Sequence, residues 1–71
     1  MAKQQRSKET KGRILDIAAA LFAQNGYSAT SIAEICEQAD VSKGAFYYHF
    51  ASKQAIFLAL LDRWMDELES A

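Results

Sequence analysis

The sequence predicts an all-α fold, a small helical bundle, on three observations. Apolar residues recur at steps of three and four along most of the 71 residues, which is the spacing of one face of a helix. Proline is absent, and glycine occurs only three times. No segment alternates apolar and polar residues as a half-buried strand does. A chain of this length forms one domain whose core is too small to enclose a catalytic cavity, so an enzyme is not expected.

The first predicted helix follows a short basic segment at the amino terminus. Ser7 or Thr10 is the expected cap at its start, and the helix is expected to end near Asn25. Gly26 supplies the left-handed residue that commonly closes a helix, and Tyr27 is expected to fold back as its apolar contact. The predicted buried face consists of Ile14, Ile17, Ala18, Leu21 and Phe22.

Two short helices are expected next, because two capping signals follow each other closely. Ser31 and Glu34 form a capping box, in which each side chain accepts a backbone N–H that the helix leaves free. The second helix ends at the break over residues 40–42, and Ser42 caps a third helix over residues 43–50. The predicted buried face of the second helix consists of Ile32, Ile35, Cys36 and Ala39.

Ser52 is the expected cap of a fourth helix with a long apolar face. A four-helix domain of this size cannot cover all of that face, so Trp64, Met65 and Leu68 have little to pack against. The apolar face consists of Ile56, Phe57, Leu60, Leu61, Trp64 and Leu68.

The two short helices, with a longer helix on each side, have the layout of a helix-turn-helix on a homeodomain-like three-helix core. In that motif the second short helix reads DNA. Each residue advances about 100° around the helix axis, so Phe46 and Phe50 share one face and are expected to anchor the helix in the core. The opposite, exposed face is centred on Tyr48, with Gly44 and Ala45 beside it and Tyr47 and Lys43 at its margin.

Several segments resemble a known family of DNA-binding proteins. They are the run VSKGAFYYHF at residues 41–50, Gly26-Tyr27, Thr30-Ser31-Ile32 and Ser52-Lys53. Over residues 7–62 the chain resembles the N-terminal DNA-binding domain of the TetR family of transcriptional regulators. It departs from the family at Cys36 and Asp40, where alanine and glycine are usual. Aspartate tolerates the left-handed conformation better than most residues, so the turn is expected to survive.

The resemblance implies a bacterial repressor that binds a palindromic operator in double-stranded DNA as a homodimer, without a cofactor. It also implies a larger carboxyl-terminal helical domain that dimerises and binds a small effector. Residues 63–71 are interpreted as the end of the fourth helix leading into that domain. We therefore expect the chain to be the DNA-binding part of a longer regulator.

Phosphate contacts are expected from three groups of residues, by the same resemblance. Thr30, Ser31 and Ser42 offer hydroxyls and N–H groups at helix starts, although capping alone explains the two serines. The positive charge of Lys53 is unfavourable at the start of its helix, where the helix dipole favours acidic side chains. This suggests that the side chain has a partner outside the protein, namely a DNA phosphate. The remaining candidates are Tyr47 and Tyr48, for phosphate or thymine, and His49, for a phosphate.

Base reading looks sparse, because the third helix offers no Arg, Asn or Gln. Lys43 is the only strong reader and is expected to bond the O6 and N7 atoms of guanine. Ala45 is placed to touch a thymine methyl group, and Gly44 permits close approach. Part of the specificity is therefore expected to come from DNA shape.

The charge is unevenly distributed along the chain. Residues 1–53 contain seven Lys and Arg against five acidic residues, whereas residues 54–71 contain one Arg against four acidic residues. An anion is therefore attracted to the amino-terminal part, although the net charge of the chain is −1. Residues 1–6 are interpreted as a flexible arm. The basic stretch from Lys3 to Lys11 is expected to attract phosphates without reading sequence, in preference to minor-groove readout, for which only Arg6 is well suited.

Other functional classes are less favoured. The longest apolar run, residues 17–23, is far shorter than the roughly 20 residues that cross a bilayer. The basic start lacks the apolar core of a secretory signal, so a cytoplasmic protein is expected. One cysteine and one histidine exclude an internal disulfide and a zinc finger. Cys36 is interpreted as a core residue, and a hydrolase built on Ser42 and His49 would need a pocket that the chain cannot enclose.

The leading alternative is a small helical protein-interaction module. Its partner helix would cover an apolar patch made by Tyr47, Tyr48, Trp64 and Met65. Ionic strength distinguishes the two hypotheses, because DNA binding weakens steeply with salt and a hydrophobic interface does not.

Overall fold

The computed structural model describes the backbone of residues 2–70 and the side chains of residues 8–69. It contains four helices: α1 (Ala2–Asn25), α2 (Ile32–Ala39), α3 (Lys43–His49) and α4 (Lys53–Ser70). No strand occurs in residues 2–70, which confirms the all-α prediction. Helix α1 packs against α2 and α4, and α2 packs against α3. None of the helices described has the length and apolar character needed to cross a membrane.

Every helix contributes a fully buried side chain to one core. These side chains are Ile14 from α1, Ile35 from α2, Phe46 from α3, and Ile56 and Leu60 from α4. Each of these residues belongs to the face that the sequence predicts to be buried. The core also contains Leu15, Ala18, Leu21, Cys36, Ala39 and Phe50, while Ile17, Phe22 and Ile32 are only partly buried against it.

Helix α1 ends as the sequence predicts but starts earlier. Gly26 has a φ of 90° in the left-handed region, and its N–H donates to the carbonyl of Phe22 at 2.8 Å. The ring of Tyr27 folds back onto that of Phe22, with 5.2 Å between centroids. At the other end, Ser7 and Thr10 lie inside the helix and do not cap it, because α1 begins at Ala2.

The backbone of residues 2–6 is thus helical where the sequence suggested a flexible arm. Lys, Gln, Arg and Ala are strong helix formers, so a segment of these residues forms a helix without an apolar face to reveal it. The side chains of residues 1–7 lie outside the described part of the chain. Their expected attraction for phosphates stays a prediction.

Three serines cap the later helices, as the sequence predicts. The Oγ atoms of Ser31, Ser42 and Ser52 each accept the N–H of the third residue further on, at 3.0, 3.0 and 3.1 Å. Within the described residues only this half of the Ser31 capping box is formed, since the Glu34 side chain returns no bond. Helix α3 ends one residue earlier than expected, with Phe50 as its extended C-cap.

Helix α4 buries only the first half of its apolar face. Ile56 and Leu60 are fully buried, and Arg63 then bonds Asp16 of α1 at 2.8 Å on the surface. The other members of the predicted buried face are exposed: Phe57, Leu61, Trp64 and Leu68. The second half of α4 therefore presents apolar side chains to solvent in the described part of the molecule.

Candidate DNA interface

Helix α3 turns one face into the core and the other to solvent. Phe46 is 0% exposed, whereas Tyr48, two residues further on, is 78% exposed. The burial of Phe46 and Phe50 on one side confirms the facing predicted from the helical period. The outward side carries Lys43, Gly44, Tyr47 and Tyr48 as exposed residues, with Ala45 and His49 half-buried.

Aromatic contacts hold the outward side chains of α3 in place. The ring of Tyr47 meets that of Phe46 edge-on, with 5.2 Å between centroids, so a half-exposed tyrosine is supported from the core. The Tyr48 ring meets the His49 ring edge-on at 5.0 Å. Such edge-to-face pairs are favourable arrangements for aromatic rings. Among these outward side chains, Tyr47 is therefore the one supported directly by a core ring.

The starts of α2 and α3 each present an exposed serine. The Oγ atoms of Ser31 and Ser42 accept backbone N–H groups, which satisfies one free donor of each helix. A serine hydroxyl also carries its own proton and can donate it at the same time. Capping and a phosphate contact are thus compatible at both residues. A side chain at Gly44 would meet only the Ser42 Oγ atom, at 3.8 Å, so the surface in front of this helix start is open.

Thr30 is placed differently from the sequence expectation. Its side chain is 1% exposed, and its hydroxyl lies 2.8 Å from the Gly26 carbonyl and 3.2 Å from the Leu21 carbonyl. Its N–H donates to Tyr27 at 3.3 Å. Both donors of Thr30 therefore close the end of α1 from inside the fold. A phosphate would have to displace these carbonyl partners from the buried hydroxyl, and the expected phosphate contact of Thr30 stays a prediction.

Lys53 is also placed differently. Its Nζ atom donates to the carbonyls of Tyr27 and Thr30, at 2.8 and 2.9 Å, and lies 4.4 Å from the centroid of the Tyr27 ring. These carbonyls therefore explain why a cation occupies an unfavourable position at a helix start. The sequence suggested a DNA phosphate as the explanation. A phosphate would have to compete with these partners.

A comparison of the sequence with known protein families shows where the chain belongs. Residues 14–60 match the family described as bacterial regulatory proteins, tetR family. This chain belongs to the TetR family. The matched part is the DNA-binding domain of these transcriptional regulators, which are not enzymes.

Relatives and a solved structure support the same assignment. The A-factor receptor protein of Streptomyces griseus is 46% identical over 69 residues, covering 97% of this chain and 25% of that protein. The HTH-type transcriptional regulator AcrR of Shigella flexneri is 47% identical over 53 residues, covering 75% of this chain and 25% of that protein. The crystal structure of a transcriptional regulator (TerR/AcrR family) from Aquifex aeolicus VF5 matches with a TM-score of 0.84 and 43% identity, over 86% of this chain and 36% of that one. The chain spans about a quarter of the length of these two curated relatives.

The turn between α2 and α3 of this TetR-family domain contains an unusual residue. Asp40 has a φ of 59° and a ψ of 49°, in the left-handed region, as expected for the position where glycine is usual. Its N–H is directed to the carbonyls of Cys36 and Glu37, which closes α2. The turn therefore survives with aspartate. Cys36 itself is buried, as predicted for a core residue.

Two contacts of this TetR-family domain were missed by sequence reasoning. The Nε atom of Arg13 donates to the Ala39 carbonyl at 2.9 Å, so a cation of α1 binds the carboxyl-terminal end of α2. The Nζ atom of Lys11 lies 5.8 Å from the centroid of the Phe50 ring, which brings α1 next to the end of α3. Neither pairing has a local signal, because the partners are far apart in the sequence. The basic side of α1 thus borders the helix-turn-helix.

Proposed function

We propose that this domain binds double-stranded DNA sequence-specifically with α3 in the major groove, as the operator-binding part of a transcriptional repressor. The observation that carries the proposal is the division of α3 between Phe46, fully buried, and Tyr48, mostly exposed. The buried face fixes α3 to the core, and its exposed face carries small and aromatic residues. A helix presented in this way fits the width of the major groove.

The proposed contacts follow the exposure of each residue. Lys43 reads a guanine, and Gly44 lets the start of α3 approach the bases because open space lies in front of it. Ala45, which is half-buried, touches a thymine methyl group. The proposed phosphate contacts are Ser31, Ser42, Tyr47, Tyr48 and His49.

Two copies of the domain are proposed to bind together. A pair held one helical turn of DNA apart, roughly 34 Å, would place each α3 in successive major grooves of a palindromic operator. The pairing is proposed to come from a carboxyl-terminal domain of the longer regulator, which also binds a small effector. Occupying an operator blocks access to it without any further contact, which makes repression in the bacterial cytoplasm the simplest outcome.

Selection from a random duplex library tests this proposal. The domain, fused to a dimerising helix, is expected to enrich palindromic sequences whose half-sites lie one turn apart. A Lys43→Ala variant is expected to lose preference at one or two base pairs of each half-site and to keep the rest. Recovery of no common sequence would contradict sequence-specific binding. An unchanged preference in the variant would contradict Lys43 as a base reader.

The exposed apolar end of α4 favours a second function, a protein-interaction module. Trp64 is 45% exposed and Leu68 is 77% exposed, with Met65 between them. A partner helix covering this face would bind with little dependence on salt, whereas duplex DNA is released as salt rises. Measuring the binding of a mixed-sequence duplex at several salt concentrations separates the two functions.

A further inference from the structure

We infer that Arg13 is a positioning residue for DNA binding, which acts by fixing the peptide between Ala39 and Asp40, where α2 turns towards α3. The inference rests on the proposed function, because this turn connects the two helices of the helix-turn-helix. Arg13 itself lies in α1, outside that motif. It is therefore expected to influence DNA binding through the backbone of the turn.

Both ends of the Arg13 contact are anchored in the core. The Nε atom of Arg13 donates to the Ala39 carbonyl at 2.9 Å, across 26 residues of sequence. Ile14, the residue after Arg13, is 0% exposed, and Ala39 is 1% exposed. Buried side chains thus hold the backbone on each side of the hydrogen bond. The contact joins two fixed points of α1 and α2.

The peptide that follows Ala39 is held from both of its sides. Its carbonyl and the N–H of Asp40 belong to one planar unit. The carbonyl accepts the Nε–H of Arg13, while the N–H is directed back to carbonyls in the last turn of α2. The next N–H, of Val41, donates to the Cys36 carbonyl at 3.0 Å. Rotating the plane would break bonds on both sides, so the chain leaves α2 in one direction.

This turn gains from support outside α2. Asp40 has a φ of 59°, a conformation that glycine adopts freely and aspartate does not. The carboxyl-terminal end of a helix carries partial negative charge, which a cation stabilises. Helix α2, which is described in full, has no basic residue in its last turn, and Glu37 and Asp40 add negative charge there. Arg13 supplies the missing cation from α1.

The direction of the turn sets the orientation of α3. This helix has only seven residues and buries Phe46 alone among them. It packs on α2, and its N-cap, Ser42, comes one residue after Val41. A change in the turn therefore moves the outer face of α3 relative to the rest of the domain. Base contacts depend on hydrogen-bond distances, so such a movement costs sequence preference before it costs phosphate contacts.

Two substitutions of Arg13 in the 71-residue chain separate its donor from its charge. In Arg13→Gln the amide nitrogen lies as many bonds from the backbone as Nε, so the variant keeps a donor for Ala39 and loses the charge. Arg13→Met keeps the aliphatic stem and loses both. Gln38→Met is the control, because it places methionine at an exposed position of the same turn of α2.

Four properties are measured for each protein. They are Tm, the affinity for a duplex that carries one selected half-site, the affinity for a mixed-sequence duplex, and the dependence of both affinities on salt. The affinities are measured well below Tm, so that every variant compared is folded.

A positioning role predicts that the donor matters and the charge does not. Folded Arg13→Met is expected to bind the selected half-site about tenfold more weakly and the mixed-sequence duplex nearly as well as the wild type. Arg13→Gln is expected to bind both duplexes nearly as well as the wild type. The slopes of log K against log salt are expected to be the same in all four proteins.

Three outcomes would overturn the inference. A phosphate contact at Arg13 would lower the magnitude of the slope by about 0.9 in both variants. A contact that only stabilises the fold would lower Tm in Arg13→Met and leave both affinities unchanged. Equal losses in the two variants would show that the bond to Ala39 is not the cause. If Arg13→Met does not fold, Arg13→Gln still decides, since a smaller slope or a lost preference in it contradicts the inference.

Hydrogen exchange of the free chain separates failure of this inference from failure of DNA binding. The amides of Asp40 and Val41 are compared with that of Leu60, which is fully buried and reports opening of the whole domain. Relative to Leu60, both amides are expected to exchange about tenfold faster in Arg13→Met and unchanged in Arg13→Gln. If the wild type binds no duplex, the proposed function fails, whereas unchanged exchange in Arg13→Met would refute positioning on its own.

Discussion

Thr30 shows how one hydroxyl connects two helices. It is buried where α1 ends and α2 is about to begin, and it is directed to two carbonyls of the α1 terminus. A residue that the sequence offered as a DNA contact is placed where its hydroxyl binds the backbone at the end of α1.

Replacing Thr30 with valine is therefore expected to destabilise the domain. Valine has nearly the same shape but leaves the carbonyls of Leu21 and Gly26 without this donor, which costs about 1–3 kcal/mol. Chemical denaturation measures the change in the free energy of unfolding. Ser28→Ala, at an exposed position of the same loop, is the control and should change little. Equal stability of Thr30→Val and the wild type would contradict the role assigned to this hydroxyl.

Asp40 carries backbone strain that glycine would remove. At a φ of 59° a side chain crowds the backbone, and glycine is the residue that adopts this region without cost. Asp40→Gly is expected to stabilise the domain by about 0.5–1 kcal/mol, and Asp40→Ala to destabilise it, since alanine lacks the local polar contacts that help aspartate. Urea denaturation of the three proteins gives the order. A glycine variant less stable than the wild type would show that the aspartate side chain contributes more than its strain costs.

At the scale of elements, the inner face of α3 stabilises the fold, whereas its outer face carries the proposed DNA contacts. Among its seven residues Phe46 alone is buried and holds the helix in the core, and the other six are the residues proposed to contact DNA. Substitutions on the inner face are therefore expected to lower the stability of the fold, and substitutions on the outer face to lower the affinity for DNA.

Tyr48→Ala tests the outer face of α3. The ring is 78% exposed, so its removal is expected to change the free energy of unfolding by no more than about 0.5 kcal/mol, while the affinity for a selected duplex falls. Phe46→Ala, on the inner face, is expected to cost about 3–5 kcal/mol of stability. Leu58→Ala, an exposed residue of α4, should alter neither quantity. Unchanged affinity in folded Tyr48→Ala would remove Tyr48 from the proposed interface.

The boundaries of most elements were predictable because their signals are local. Each serine cap bonds a residue three positions away, and the Gly26 cap bonds four positions back. The contacts of Thr30 with Leu21, of Lys53 with Thr30 and of Arg13 with Ala39 span 9, 23 and 26 residues. Such pairings depend on how the helices pack, which one sequence does not reveal. The helical period predicted which face of α3 is exposed. It did not predict which polar side chains are already bonded within the domain.

At the scale of the whole molecule, the distribution of charge matters more than its sum. The described cations beside the helix-turn-helix are on α1, α3 and the start of α4, while the four acidic residues of residues 54–71 lie along α4. A net charge of −1 therefore does not prevent local attraction of a polyanion.

Duplex binding is accordingly expected to weaken steeply with salt. Each phosphate contact contributes about 0.9 to the slope of log K against log salt, so a slope of several units is expected for two bound copies. Neutralising an acidic residue of α4, as in Glu67→Gln, should leave the slope unchanged. Titrations of a labelled duplex over a range of potassium chloride concentrations provide the measurement. Binding that is insensitive to salt would favour the interaction-module hypothesis.

The single cysteine gives the domain an internal reporter of its own opening. Cys36 is the only thiol in the chain and is packed within the core between α2 and its neighbours. A disulfide reagent in solution reaches it only when the helices separate. The rate of thiol modification is followed by release of the reagent's chromophore. The ratio of this rate to that of a small free thiol therefore reports the fraction of molecules in which the helices have separated under native conditions.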